Sequence, residues 1–336
     1  MDFRLTEDQM SLKKGARDFL EKEASSDKVK AAFESEDGAI PGLYKKMADL
    51  GWAALAVPED QGGLGAGLVE QAALLEELGY FNVPGPFFST VCLGIPVLLG
   101  CGEEEVLARA IGGETTVTVA DDRSFVIDPQ LSDYFIVCDQ DDLLLAKKED
   151  VKLTLHKPTD GTRRTGAVEV DRSNATRIGD IQALGPVIWK AGALLSAESV
   201  GGMQRVLDTT LEYSKVRTQF GRLIGSFQVV KHRLADMLLK TESARSAAYY
   251  AAWANEVNAP DAVLSASVAK SYVSDAYQWV AGEGVQLHGG IGFTWEHEAH
   301  LYFKRAYMNA VLLGDAAFHR DRALTLTLTS PDRAKP

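Results

Sequence analysis

The feature that most restricts how this chain can fold is an abrupt change of periodicity. A β-rich stretch of short runs is inserted between two long regions that read as helix. Upstream, Leu12, Ala16, Phe19 and Leu20 fall on one helical face behind Thr6-Glu-Asp-Gln9, which has the form of a capping box. Pro41 opens a second helix with Leu43, Met47 and Leu50 on one side, closed by Gly51. Leu55-Ala-Val-Pro58 reads as a short extended exit, and Gln61 to Gly67 as a glycine-rich loop. Leu68 to Gly79 returns to helix, Asn82 to Pro86 breaks the chain, and a further helical stretch runs to about Leu99.

From Thr115 the texture is different. Thr115–Val119, Tyr134–Val137, Leu143–Leu145, Val151–Leu155 and Ala167–Val170 are short and β-rich, separated by Asp, Gly, Pro and Asn. They predict a small antiparallel β-domain of five or six strands. From about Leu184 helix returns. Phe227, Val230, Leu234, Met237 and Leu238 form one apolar stripe, and Ala262, Ala266, Ala269, Val273, Ala276 and Val280 form a second one of small residues. The resulting expectation is an α+β, mainly α fold. It has an N-terminal helical domain over 1–114, a shortened central β-domain over 115–182 and a C-terminal antiparallel helical bundle over 183–330.

Composition enters mainly through what it excludes. A net charge of −12 with no basic stripe argues against nucleic acid or an anionic membrane as partner. The three cysteines, Cys92, Cys101 and Cys138, form no zinc or disulfide pattern and suit a reducing compartment. The charged start has no apolar segment of signal-peptide type, and no run is long enough to span a bilayer, so a cytoplasmic location is expected. No G-x-S-x-G element is present to suggest an esterase. Trp295-Glu-His-Glu-Ala-His300 is not HExxH and has no evident third ligand, so no metal site is expected there. The Gln61–Gly67 loop lacks the phosphate-loop pattern.

Specific chemistry is carried by one string, Tyr213-Ser-Lys-Val-Arg-Thr-Gln-Phe-Gly221, followed by Phe227-Gln228, Leu234-Ala-Asp-Met237 and Val285-Gln-Leu-His-Gly-Gly-Ile-Gly-Phe293. Phe3-Arg-Leu-Thr-Glu-Asp-Gln9, Leu50-Gly-Trp52, Val57-Pro58 and Gly62-Gly-Leu-Gly65 precede it in order. Together these resemble the acyl-CoA dehydrogenase family, across both helical regions. The resemblance implies FAD as cofactor, an acyl-CoA substrate, α,β-dehydrogenation, and an electron-transferring flavoprotein as acceptor. It implies flavin contacts from Arg217, Gln219, Phe220, Phe227, Gln228, Gln286, Leu287, Gly289 and Gly290 to an FAD held mainly by a neighbouring subunit, hence a dimer or tetramer. The residue types suit that role: a guanidinium can grip a pyrophosphate, and carboxamides can bond a flavin or adenosine edge. Glycines let backbone approach a cofactor. A purely structural alternative makes Arg217 a cap for the end of its own helix.

The chain departs from the family where the proton is removed. That step needs a positioned carboxylate, a Glu in an E-G-T turn in most members. Here the corresponding stretch, Lys304 to Asp315, puts Leu313 at the Glu position and Gly314 after it. The other position used in the family falls at Ala191, and Glu198 is two helical turns further on, about 10 Å along the axis. Asp315 is the only nearby carboxylate able to substitute, and an interface or capping role for it is the competing reading. The flavin-contacting A-x-T-E-P-x-x-G-S-D stretch is replaced by Val119-Ala-Asp-Asp-Arg-Ser124 in a short β-domain. These departures resemble the short subunit of bacterial heterotetrameric acyl-CoA dehydrogenases that act on steroid side-chain CoA esters. In those enzymes a longer homologous subunit carries the Glu. The expectation is therefore a subunit that lacks the base, in a heteromeric enzyme of fatty acid or steroid side-chain catabolism. Two alternatives remain: a homo-oligomeric enzyme using Asp315, and a non-catalytic scaffold of the same fold.

Overall fold

The computed structural model describes residues 4–122 and 124–329; Phe3, Arg123 and the end of the chain from 330 lie outside the described residues. The order is helical, then β, then helical, as the periodicity requires. The helices are α1 (Glu7–Glu23), α2 (Ser26–Glu34), α3 (Leu43–Asp49), α4 (Leu68–Tyr80), α5 (Ile95–Cys101) and α6 (Glu104–Ile111) before the sheets. After them come α7 (Leu184–Val216), α8 (Gln228–Glu256), α9 (Ala262–His288), α10 (Ala299–Val311) and α11 (Ala316–Thr329). None of the described helices is long and apolar enough to cross a membrane.

Helix α1 starts through the capping box. The Gln9 amide donates to Thr6 Oγ1 at 3.2 Å and the Thr6 amide to Gln9 Oε1 at 2.9 Å, so two orphan donors are satisfied reciprocally. Ala16 and Leu20 are its buried residues, while Leu12 and Phe19 of the expected stripe are only half-buried. Helix α2 has only Val29 and Ala32 on its buried side, too short a stripe to register in the sequence. In α3, Leu43 and Met47 are buried, but Leu50 lies beyond the helix and is exposed. The expected extended exit at Leu55–Pro58 is instead a 3-10 turn at Trp52–Ala54 and its continuation, because Gly51, at φ +81°, turns the chain back at once. The stretch before α5 is a fully buried π-helical segment, Phe88–Gly94.

The β region differs from a single antiparallel domain. Among the described residues, seven strands form two sheets: β1 (Val117–Ala120), β2 (Val126–Ile127), β3 (Tyr134–Asp139), β4 (Asp142–Lys147), β5 (Val151–Leu155), β6 (Thr165–Val170) and β7 (Thr176–Asp180). One sheet has the order β1-β3-β4-β7, the other β2-β6-β5. The strands β1 and β3 pair in parallel, Val117 opposite Tyr134 and Ala120 opposite Val137. The cause is topological: after β1 the chain crosses to the other sheet for β2 and returns through a turn at Pro129–Leu131, so β3 re-enters alongside β1 in the same sense. Ala120, Val126, Phe135, Val137 and Val168 form a closed core drawn from both sheets, with Val151, Leu153 and Val170 against it. Two-residue β2 and polar-faced β7 carry too few apolar residues to register as strands in the sequence.

The described chain divides into two compact units, one of residues 23–71 and 83–191 and the other of residues 4–22, 72–82 and 192–329. The first holds both sheets. Within it, Arg164 donates to the carbonyls of Ser35 and Glu36 after α2, and Tyr44 Oη to Ala110 O at 2.9 Å. The second is the helical bundle. Its small-residue stripe is buried from Ala266 on, with Ala266, Ala269, Val273, Ala276 and Val280 all at most 3 % exposed and Ala262 at the helix start half-buried, and α8 packs along α9. Backbone approach is closest between α4 and α7, where a Cβ on Gly79 would stand 1.8 Å from Glu198 O and one on Gly201 1.8 Å from Glu76 O. The α8 stripe is buried at Val230 and Met237, but Leu238 is exposed, as are Val229 and Leu239. Helix α8 thus leaves an apolar flank outside the chain's own core.

Candidate functional site

Helix α7 ends at Val216 and the chain turns at once into a hairpin of β8 (Thr218–Gln219) and β9 (Arg222–Leu223). Its two tip residues, Phe220 at φ +51° and Gly221 at φ +79°, have the left-handed pair of dihedrals that a tight two-residue turn demands. Phenylalanine is an uncommon residue there, and Phe220 is 92 % exposed. It meets Phe227 edge-on at 6.2 Å, and the Arg222 guanidinium lies 4.0 Å over the Phe227 ring. The hairpin is closed by Ile224 N donating to Arg217 O at 2.8 Å. Among the described residues, the side chains of Arg217, Gln219 and Gln228 are exposed and have no protein hydrogen-bond or ion-pair partner. Five of the expected flavin-contact residues therefore sit on one short segment, with their polar groups uncommitted.

The other four lie at the end of α9. Gln286 is exposed and Leu287 half-buried; Gly289 (φ +66°, ψ −144°) closes the helix in a conformation that only glycine takes readily. A Cβ on Gly289 or Gly290 would meet nothing in the chain, so intrachain packing does not require either to be small. The two segments are joined at their roots by an aromatic stack. The Tyr213 and His288 rings are 4.6 Å apart, and His288 and His297 are 4.1 Å apart. His288 Nδ1 donates to Gly284 O at 2.7 Å, which fixes the tautomer, and burial holds its pKa below the ordinary value. A His in the Leu287–Gly290 string and a Tyr four residues ahead of Arg217 were the available signals.

The third segment is the turn between α10 and α11. Leu313 and Gly314 have φ of +58° and +94°, so the turn is left-handed at two successive residues, one of them not glycine. His319 Nε2 donates to Leu313 O at 2.9 Å. Asp315 sits just ahead of α11, and its Oδ1 accepts the Phe318 amide at 2.8 Å, the arrangement of an N-cap. Ala191, the other position considered for a base, is fully buried. Glu198 is also buried and accepts from Arg305 Nη1 at 2.9 Å, with side-chain exposures of 4 % and 2 %.

The His/Glu cluster serves the fold. Arg205 Nε donates to Glu298 at 2.7 Å, His297 Nδ1 accepts the Ala299 amide at the start of α10, and Trp295 packs edge-on to His300. No group of three or more His, Cys, Asp or Glu among the described residues could hold a metal. A cavity of about 250 Å³ is lined by Leu5, Lys13, Glu76, Glu242, Arg245, Ser246 and Tyr249. Its charges are already paired: Lys13 and Arg245 both reach Glu76, and Tyr249 Oη donates to the same carboxylate.

The order of helical, β and helical parts defines the fold class, and sequence comparison makes the family specific. Residues 6–113 match the N-terminal domain and residues 191–324 the C-terminal domain of acyl-CoA dehydrogenases. The chain is 40 % identical to acyl-CoA dehydrogenase IpdE2 of Mycolicibacterium smegmatis over 92 % of this chain and 96 % of that one. It is 32 % identical to IpdE2 of Mycobacterium tuberculosis, over 91 % and 93 %. Among solved structures, the ChsE4-ChsE5 complex from Mycobacterium tuberculosis superposes with a TM-score of 0.89 at 24 % identity, covering 98 % of this chain and 100 % of that one. The Tcur3481-Tcur3483 steroid ACAD superposes with 0.88 at 25 % identity, covering 96 % and 98 %. The chain belongs to the acyl-CoA dehydrogenase family of enzymes.

Proposed function

We propose that this chain is the base-lacking subunit of a heteromeric, FAD-dependent acyl-CoA dehydrogenase, and that its helical bundle completes a flavin site centred on a neighbouring subunit. The observation that carries the reading is the α10–α11 turn: it has a leucine at the family's base position, and its one carboxylate, Asp315, is engaged as a helix cap. Glu198, the nearest carboxylate to the other position, is held in a buried ion pair with Arg305. Abstraction of the substrate α-proton then falls to a carboxylate of the partner, a longer homologue bearing the Glu.

The residues present fit FAD. Arg217 offers an unpaired guanidinium, Gln219 and Gln228 offer exposed carboxamides, and Phe220 and Phe227 offer ring faces beside them. Gln286, Leu287, Gly289 and Gly290 form a shelf with backbone open to approach. When bound, FAD supplies the acceptor for the substrate β-hydride, and an electron-transferring flavoprotein takes the electrons on. This chain's own contribution is to bind and orient: Arg217 by charge, the carboxamides by hydrogen bonds, and the Tyr213–His288 stack by holding the two segments together. Similarity to IpdE2 supports an acyl-CoA substrate, and similarity to a steroid ACAD supports a steroid-derived one; the expected site of action is the cytoplasm.

The test is co-expression with a Glu-bearing homologue, followed by flavin counting and dye reduction with acyl-CoA. About one FAD per two chains, with activity only in the pair, is the expected result. A lone chain that is yellow and turns over acyl-CoA refutes the reading in favour of Asp315 or another carboxylate. Chains that stay colourless with every partner leave a scaffold.

A further inference from the structure

Lys270 lies in the middle of α9 and is 2 % exposed, a rare position for a lysine. Its Nζ donates to Ser274 Oγ at 3.0 Å, to Ala310 O at 3.2 Å and to Gly314 O at 3.1 Å. Three acceptors use all three N–H groups of the ammonium. Two of them are carbonyls at and beyond the C-terminal end of α10, where a cation is also favoured by the helix dipole. Between those carbonyls stands Leu313, in a left-handed conformation that persists only where surrounding contacts over-determine it. The Leu313 carbonyl is taken by His319 of α11. The turn is thus gripped from α9 and α11 at three carbonyls: Ala310, Leu313 and Gly314.

We propose that Lys270 is the positioning residue of the Leu313–Gly314 turn, its buried ammonium holding the Ala310 and Gly314 carbonyls and thereby keeping Leu313 left-handed. The inference depends on neither flavin binding nor a partner subunit. It carries a pH dependence with it. Burial pushes the Lys270 ammonium down to about 7, against the pull of the Asp315 and Asp275 carboxylates. Loss of its third proton removes one donor and turns a lone pair towards an oxygen. Asp315 faces the amine from the turn and Asp275 from α9, the latter paired with Arg320 of α11. From α11 come also His319, held by burial down to about 4, and Arg322 beyond it. His319 is therefore neutral across pH 6–9, and a change in that window belongs to Lys270.

The experiment is amide hydrogen exchange of the full chain, read at residues 313–316 against the middles of α9 and α10 as internal controls. In the wild type, protection of the turn, corrected for intrinsic exchange, is expected to fall roughly tenfold from pH 6 to pH 9 while the controls stay constant. Lys270→Met is expected to lower protection of the turn about tenfold at pH 6 and to remove the pH dependence. Leu313→Gly removes the left-handed strain, so in that background the effect of Lys270→Met should shrink to less than about threefold. A flat wild-type profile overturns the proposal. So does a Lys270→Met effect that is equal in both backgrounds, or one that loosens α9 and α10 as much as the turn. If Lys270→Met does not fold, the wild-type pH series and the same series in Leu313→Gly decide: the dependence must be present in the first and reduced in the second.

Discussion

Glu198 is the carboxylate that most needs a decisive experiment, because its place on α7 invites a catalytic reading and its surroundings give a structural one. Both members of the Arg305–Glu198 pair are almost wholly buried, at 2.9 Å. An exposed pair contributes about 0–1 kcal/mol, whereas deleting one member of a buried pair costs about 3–5 kcal/mol because a charge is left in the interior without its counter-ion. Glu198→Ala is therefore expected to destabilise by about 3–5 kcal/mol. Replacing both members, as Glu198→Leu with Arg305→Met, should return the chain to within about 1 kcal/mol of wild type or above it, since apolar residues of similar volume can replace a buried pair at little cost. Urea denaturation followed by circular dichroism reads this directly; with a slope of about 3 kcal/mol/M, the single variant's midpoint should fall by about 1 M or more. The refuting result is a Glu198→Gln protein of unchanged midpoint that, assembled with its partner, has lost its dehydrogenase rate. That outcome would make Glu198 a proton acceptor and end the base-lacking interpretation.

Other expectations follow from single features. Gly201→Ala forces a Cβ to within 1.8 Å of Glu76 O, so it should cost about 1–3 kcal/mol or more by overpacking, seen as a lower denaturation midpoint. Arg217→Ala should leave that midpoint within about 0.5 kcal/mol, because the side chain is exposed, yet cut flavin retained by the assembled enzyme at least about tenfold. His319 is held by burial near 4 against an ordinary 6.5, so the folded state favours the neutral ring. Its contribution is complete above about pH 6.5 and is lost as pH falls towards 4. Melting temperature should drop across that window, and a His319→Phe protein, which cannot titrate there, should show a smaller drop.

How much of this could be read from residues alone depended on how each feature is encoded. The long helices were legible, because stripes such as Ala266, Ala269, Val273 and Ala276 repeat at helical spacing and are buried as that spacing requires. The capping box at Thr6–Gln9 was legible because its geometry is local. The parallel pairing of β1 with β3 was not, since it arises from a chain that changes sheets and returns, and no residue in either strand records the neighbour. Helix α2 escaped because two buried residues, Val29 and Ala32, make no stripe. For the site, the strings around Arg217 and Gly289 were visible as patterns. The Tyr213–His288 stack and the grip of Lys270 on Gly314 join residues far apart in sequence, and only the fold brings them together. The absence of a carboxylate at Leu313 could be read by counting, whereas the duty of Asp315 as a cap needed the direction of one hydrogen bond.

The crossing of α4 and α7 has a mechanical consequence. At Gly79 and Gly201 each helix lays bare backbone against the other, and each glycine faces the carbonyl of a residue three places from its counterpart, Glu198 and Glu76. On the same face one turn away stand residues with side chains, Leu75 and Glu76 on α4 and Ala197 and Glu198 on α7, so a shift of either helix by one turn along its axis would bring a side chain into that space. Sliding by a turn is thus opposed at the one place where the two helices pass backbone to backbone. In any rearrangement that loading or assembly imposes on this bundle, displacement should therefore be smallest at this crossing and grow with distance along both helices.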